Sequence, residues 1–181
     1  MTQSSPQPAP RPDPDPDHER MQAALAEVFA LARAGDAATL AGLLERGLSP
    51  DLRNEKGDSL LMLACYHGHA EAARVLLARG AAPDLRNDNG QTPLAGAAFK
   101  GYADIAALLL DHGADVEGAS PDGRTALMVA AMFDRAEIVD LLLARGANPA
   151  ARDAGGATAA AAAAMMGARS AAALLAGKDG Q

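Results

Sequence analysis

Asn87-Asp88-Asn89-Gly90-Gln91-Thr92-Pro93-Leu94-Ala95-Gly96-Ala97-Ala98-Phe99-Lys100-Gly101-Tyr102-Ala103-Asp104-Ile105-Ala106-Ala107-Leu108-Leu109-Leu110-Asp111-His112-Gly113-Ala114-Asp115-Val116-Glu117-Gly118 reads as one complete structural unit. Asn89-Gly90 tolerates positive φ at both positions and suits a tight reversal. Thr92 can cap a helix, and Pro93, fixed in φ and lacking an N–H, suits its first position. Leu94, Ala97 and Ala98 give this short helix an apolar face, and Gly101 breaks it. Asp104 falls in the first turn of a second helix, where the helix dipole favours an anion. Ile105, Leu108 and Leu109 form its buried stripe, and Gly113 ends it in a left-handed cap.

The unit recurs. Gly57, Gly90, Gly123 and Gly156 are spaced 33 residues apart, as are Ser59, Thr92, Thr125 and Thr158. Leu77, Leu110 and Leu143 keep the same period, followed by Gly80, Gly113 and Gly146. Turn, short helix, turn and longer helix at this spacing predict an all-α solenoid. The segments Gly90 to Leu94 (Gly-Gln-Thr-Pro-Leu) and Leu108 to Asp115 (Leu-Leu-Leu-Asp-His-Gly-Ala-Asp) resemble the ankyrin repeat family. The resemblance covers roughly residues 19–178 and implies stacked helix-turn-helix units with projecting β-hairpin turns.

Each unit of such a stack buries its apolar face against its neighbours, not in a central ball. The aromatic content of 3% argues against a large cofactor pocket, and no cofactor is expected. A net charge of −7 disfavours non-specific binding to nucleic acid or anionic membrane. Cys65 is the sole cysteine, which suits a reducing compartment. No apolar run approaches membrane-spanning length, and residues 1–17 lack the order of a secretory signal, so a cytoplasmic monomer is expected.

Residues 1–18, rich in Pro and Asp, read as a disordered tail. A capping repeat over 19–52 begins with a helix in which Met21, Leu25, Val28, Phe29 and Ala32 recur at helical spacing. Repeats over 53–85, 86–118 and 119–151 are well formed. A degenerate closing repeat over 152–178, with the alanine run Ala159 to Ala164, has little apolar area and is expected to fray. Asn54, Asn87, Ser120 and Asp153 stand three residues before each turn glycine, where a short polar side chain can bond the turn backbone.

One family feature is missing. The histidine that usually follows Thr-Pro-Leu, and there links adjacent units, is replaced by Met62, Ala95, Met128 and Ala161. Apolar packing is therefore expected to take over from polar stapling.

By phase, the slots that the family leaves free for partners are the pairs Tyr66-His67, Phe99-Lys100, Met132-Phe133 and Met165-Met166. Three of the five aromatic residues fall in them. Together they make an adaptable apolar strip, the kind of surface that marks an interface. The alternative is that these side chains fold over the short helices and pack on the next repeat. Glu55, Lys56, Asp58, Asp88, Asn89, Gln91, Asp122 and Arg124 form a polar, mostly acidic margin beside the strip. An apolar centre with this rim suits a protein partner with basic residues around a hydrophobic anchor.

No catalytic arrangement is present: the glycines are phased as turns, not clustered to cradle phosphate. Cys65, His67 and His69 resemble a metal triplet, but Gly68 separates the two helices and Cys65 aligns with Ala98 and Ala131, so no metal is expected. The reading is a non-enzymatic protein-binding module. The alternatives are a regulatory or inhibitory subunit of one enzyme or toxin and, further off, a small metal-binding or redox protein.

Overall fold

Ser59, Thr92, Thr125 and Thr158 each start a helix in the same way. In the computed structural model, which describes residues 16–178, their side-chain oxygens accept the N–H of Met62, Ala95, Met128 and Ala161 at 3.0, 3.2, 3.3 and 3.3 Å. The four capping residues are buried, and each satisfies an N–H of the first turn that has no partner within its helix. The helices they open are α3 (Leu60–Tyr66), α5 (Pro93–Lys100), α7 (Ala126–Met132) and α9 (Ala159–Met166). Each is followed by a second helix: α4 (Ala70–Ala78), α6 (Ala103–Asp111), α8 (Ala136–Ala144) and α10 (Arg169–Leu175). The leading pair is α1 (Pro16–Ala34) and α2 (Ala37–Glu45).

Short helices pack in the order α1, α3, α5, α7, α9, and their partners stack behind them from α2 to α10. Ala64, Ala97, Ala130 and Ala163, one per unit, are fully buried and let the short helices approach closely. Leu76, Leu109, Leu142 and Leu175 recur in the second row with no exposed surface. The result is a continuous apolar seam from Phe29 to Leu175, not a ball. The closing unit builds both of its helices, with Ala159, Ala163 and Ala171 buried.

The hairpin turns are minimal; Arg53 and Ser59 form an isolated antiparallel bridge. At Asn89-Gly90 only the glycine takes positive φ (+72°), where a Cβ would lie 2.3 Å from Pro121 Cδ. The polar residues ahead of each turn bond as the sequence suggests. Asn87 Oδ1 accepts from the N–H of Asn89 (3.1 Å) and Gln91 (3.0 Å), and Asn54 and Asp153 do the same in their units. Ser120 differs, donating its hydroxyl to Asp122 and to the Arg124 carbonyl.

Two expectations change. The tail does not reach residue 18, because Pro16, Asp17 and His18 already belong to α1; residues 1–15 and 179–181 lie outside the described part. Pro at the helix start and Asp17 in the first turn, bonded to Arg20 at 3.2 Å, favour this earlier beginning. The apolar stripe of α1 is buried only in part: Phe29 and Ala32 are core, whereas Met21 and Leu25 are 57% and 36% exposed. Helix α1 has 19 residues against the seven of α3, so its first turns overshoot the neighbour that could bury them.

Polar stapling between units is also abundant, supplied by residues other than the missing histidine. Asp51 accepts from Ala82 N–H (2.8 Å), Asp84 from Asp115 (3.0 Å) and Glu117 from Asn148 (2.6 Å). Arg53 donates to the Arg86 carbonyl (2.9 Å), and Arg86 to that of Ala119. At the ends of the short helices, His69 Nε2 contacts the Arg33 carbonyl (2.8 Å) and Arg135 donates to that of Phe99 (3.2 Å), both across 36 residues.

Candidate functional site: the groove along the short helices

The short helices end together, so their last residues form a row. Tyr66 closes α3, Phe99 lies one residue from the end of α5, and Phe133 follows α7. Tyr66 and Phe99 stack nearly parallel (7°) with centroids 6.3 Å apart. Phe99 meets Phe133 edge to face at 4.6 Å. Lys100 Nζ sits 4.6 Å from the Tyr66 ring centre. Tyr66 thus leans on Phe99 and Phe99 on Phe133, while 37–40% of each of the three residues remains exposed.

These rings line a groove of about 1410 Å³. Met62, Leu63, Ala95, Gly96 and Val129 contribute to its lining from the short helices, beside His67 and Met132. Glu55, Lys56, Asp58, Asn89, Gln91, Asp122 and Arg124 line it from the hairpins. Asp88 lies just outside, paired with Arg53 at 3.2 Å. Lys100 is likewise outside the lining, held over Tyr66. Met165 and Met166 do not join it: they are 82% and 55% exposed at the end of α9.

Charge on the hairpin margin is largely matched within the chain. Asn54 and Asn87 donate to Asp58 at 3.3 and 3.0 Å, and Arg124 pairs with Asp122 at 3.2 Å. The Ser120 hydrogen bond, outweighing burial and assisted by Arg124, holds the Asp122 carboxyl below its ordinary range.

His18, Met21, Gln22, Leu25 and Arg33 of α1 also line the groove, which sequence reasoning assigned to closing the stack. The available signal was an apolar stripe running further back than a short helix could cover. Gly96 is a second unanticipated feature. It is a helix-interior residue without positive φ, and a Cβ there would meet Met62 Sδ at 3.7 Å and Tyr66 Cδ2 at 3.9 Å, ordinary contact distances. Gly96→Ala is expected to raise stability by about 0.5–1 kcal/mol, because only backbone entropy opposes the glycine. Thermal melts check this; a drop would show that the site is tighter than these distances.

The three residues of the would-be metal triplet are not brought together. Cys65 is fully buried in the seam, and the His67 and His69 rings lie nearly parallel (14°) with centroids 6.5 Å apart. Among the described residues no three His, Cys, Asp or Glu side chains converge on a point that could hold an ion. Burial pushes the Cys65 thiol up, well beyond the ordinary cysteine range. The folded protein is therefore expected to react with a disulfide reagent at pH 8 at least 10-fold more slowly than the unfolded chain, in which the thiol ionises near about 8.5. Equal rates would place Cys65 at the surface.

With the geometry in place, comparison with known proteins is direct. A model of three consecutive ankyrin repeats matches residues 28–120, and a single ankyrin repeat matches residues 122–154. The chain belongs to the ankyrin repeat family. It is also 59% identical over 49 residues to an ankyrin repeat protein of Pseudomonas aeruginosa, a stretch that covers 27% of this chain and 29% of that protein. Ankyrin repeats are in general non-enzymatic modules for protein–protein interaction. Among the described residues no helix is long and apolar enough to cross a membrane.

Proposed function

We propose that this chain captures a protein partner in the groove, as a cytoplasmic monomer, with the strip of Tyr66, Phe99, Met132 and Phe133 as its apolar centre. The observation that carries this reading is the row of three rings, each about two-fifths exposed, in contact across three consecutive units. Rings already propped on one another lose little side-chain entropy when a partner covers them. The hairpin residues Glu55, Lys56, Asn89 and Gln91 supply a hydrogen-bonding rim, facing basic and donor groups of the partner. An interface of standard size, roughly 1,600 Å² in total, would cover three or four units.

The test is hydrogen exchange on the complex purified by affinity capture from native extract. Protection is expected over α3, α5, α7 and the hairpins, with α4, α6 and α8 unchanged. Protection confined to the second-row helices would overturn the reading.

A further inference from the structure

On the hairpin lip of the groove Arg53 pairs with Asp88 and Arg124 with Asp122; the opposite lip, where the short helices end, holds cations that form no ion pair with an acid among the described residues. Arg33, His67, His69, Lys100 and Arg135 gather there, on a chain whose net charge is −7. Their proximity is visible in His67, whose proton affinity is lowered by burial and then by His69, Lys100 and Arg33, with no acid among the causes. The acids nearest in the chain are engaged elsewhere. Asp36 accepts from Thr39 N–H (3.0 Å) and hydroxyl (2.7 Å), Asp134 accepts from Ala171 N–H (2.8 Å), and Glu71 pairs with Arg74 (3.4 Å). Asp104 and Glu137 line a separate shallow depression with Ala107 and Asp140.

The cations are also placed with respect to the rings. Lys100 Nζ rests 4.6 Å from the Tyr66 centroid, and Arg135 is tied to the Phe99 carbonyl. An anion drawn to them lies beside the apolar strip. Resting on the proposed capture in this groove, we propose that the partner presents a peptide segment in which an aspartate or glutamate stands within about two residues of a large apolar anchor, since one residue of extended chain spans about 3.3 Å. The anchor covers the Tyr66–Phe99–Phe133 row, and the carboxylate meets Lys100, Arg33 and His67 at the helix-end lip. A charge-assisted contact across this lip sets the direction in which the segment lies, because the hairpin lip offers no matching surplus of positive charge.

The test is selection of a random dodecapeptide phage library on the immobilised full chain, with Phe99→Ala/Phe133→Ala as a counter-screen for groove binding. The expected consensus pairs an aromatic or aliphatic residue with Asp or Glu at most two positions away. A synthetic consensus peptide is expected to lose at least about 10-fold in affinity on Lys100→Glu, and similarly when its own acid is replaced by Lys, as charged interface pairs of this kind do. Its binding weakens as salt rises, since the lip is open to solvent. Melting curves confirm that Lys100→Glu stays folded. Groove-dependent peptides with a basic, uncharged or proline-rich consensus overturn the acidic segment and leave groove capture standing. Peptides indifferent to the Phe substitutions, or no enrichment at all, overturn both.

Discussion

Leu109→Ala is expected to destabilise the fold by about 3 kcal/mol, within the 2–5 kcal/mol usual for truncating a fully buried leucine. Leu109 lies in α6, has no exposed surface, and belongs to the column Leu76, Leu109, Leu142, Leu175. Helix α6 packs against α4 on one side, α8 on the other and α5 in front, so a void at its centre weakens three contacts at once. In a linear stack no distant part of the core compensates, because each unit touches only its neighbours. A loss of this size is a large share of the roughly 5–15 kcal/mol that holds a domain together. Urea unfolding followed by circular dichroism should show a lower midpoint and, because the lesion is central, a broader transition as the two ends uncouple. The same truncation at Leu175, in the terminal helix, should leave the main transition closer to that of the unsubstituted chain. A central truncation costing under about 1 kcal/mol would mean that the column is not the seam described.

What could be read from the residues alone was the part governed by neighbours in sequence. Hydroxyl caps at Ser59, Thr92, Thr125 and Thr158 act over three residues, and the Asn87 Oδ1 accepts only from Asn89 and Gln91. Such contacts are dictated locally and survive any choice of packing. The exposure of Met21 and Leu25 could not be read in this way: helical periodicity says which face is apolar, but not how far the neighbouring helix extends to cover it. Met165 and Met166 occupy the same phase, yet phase does not disclose that the end of α9 stands clear of the groove lining. The staples from Arg135 to Phe99 and from Asp84 to Asp115 depend on two units meeting at one height. A recurrence at Asp51, Asp84 and Glu117, and at Arg53 and Arg86, hinted at them, but the missing family histidine drew the reasoning toward apolar packing instead.

Phe99→Ala combined with Phe133→Ala is expected to reduce partner affinity at least about 100-fold while costing the fold less than Leu109→Ala, since central aromatic side chains carry about 2 kcal/mol or more each at interfaces. The two rings are 37% exposed, and their mutual contact is a single edge-to-face pair at 4.6 Å. Such a pair adds only about 0.5–1.5 kcal/mol beyond the area it buries. Removing both therefore takes away two ring contacts, Phe99 with Phe133 and Tyr66 with Phe99, and some half-buried surface, and it leaves no cavity in the alanine and leucine columns behind. Binding should respond more strongly, because a partner that covers the row desolvates both rings completely and loses Tyr66's stacking support along with Phe99. Titration calorimetry with the captured partner, set beside melting curves for both proteins, separates the two effects. If the melting shift of the double substitution equals or exceeds that of Leu109→Ala, the rings are part of the seam. If binding is unchanged, the partner docks on another face of the stack.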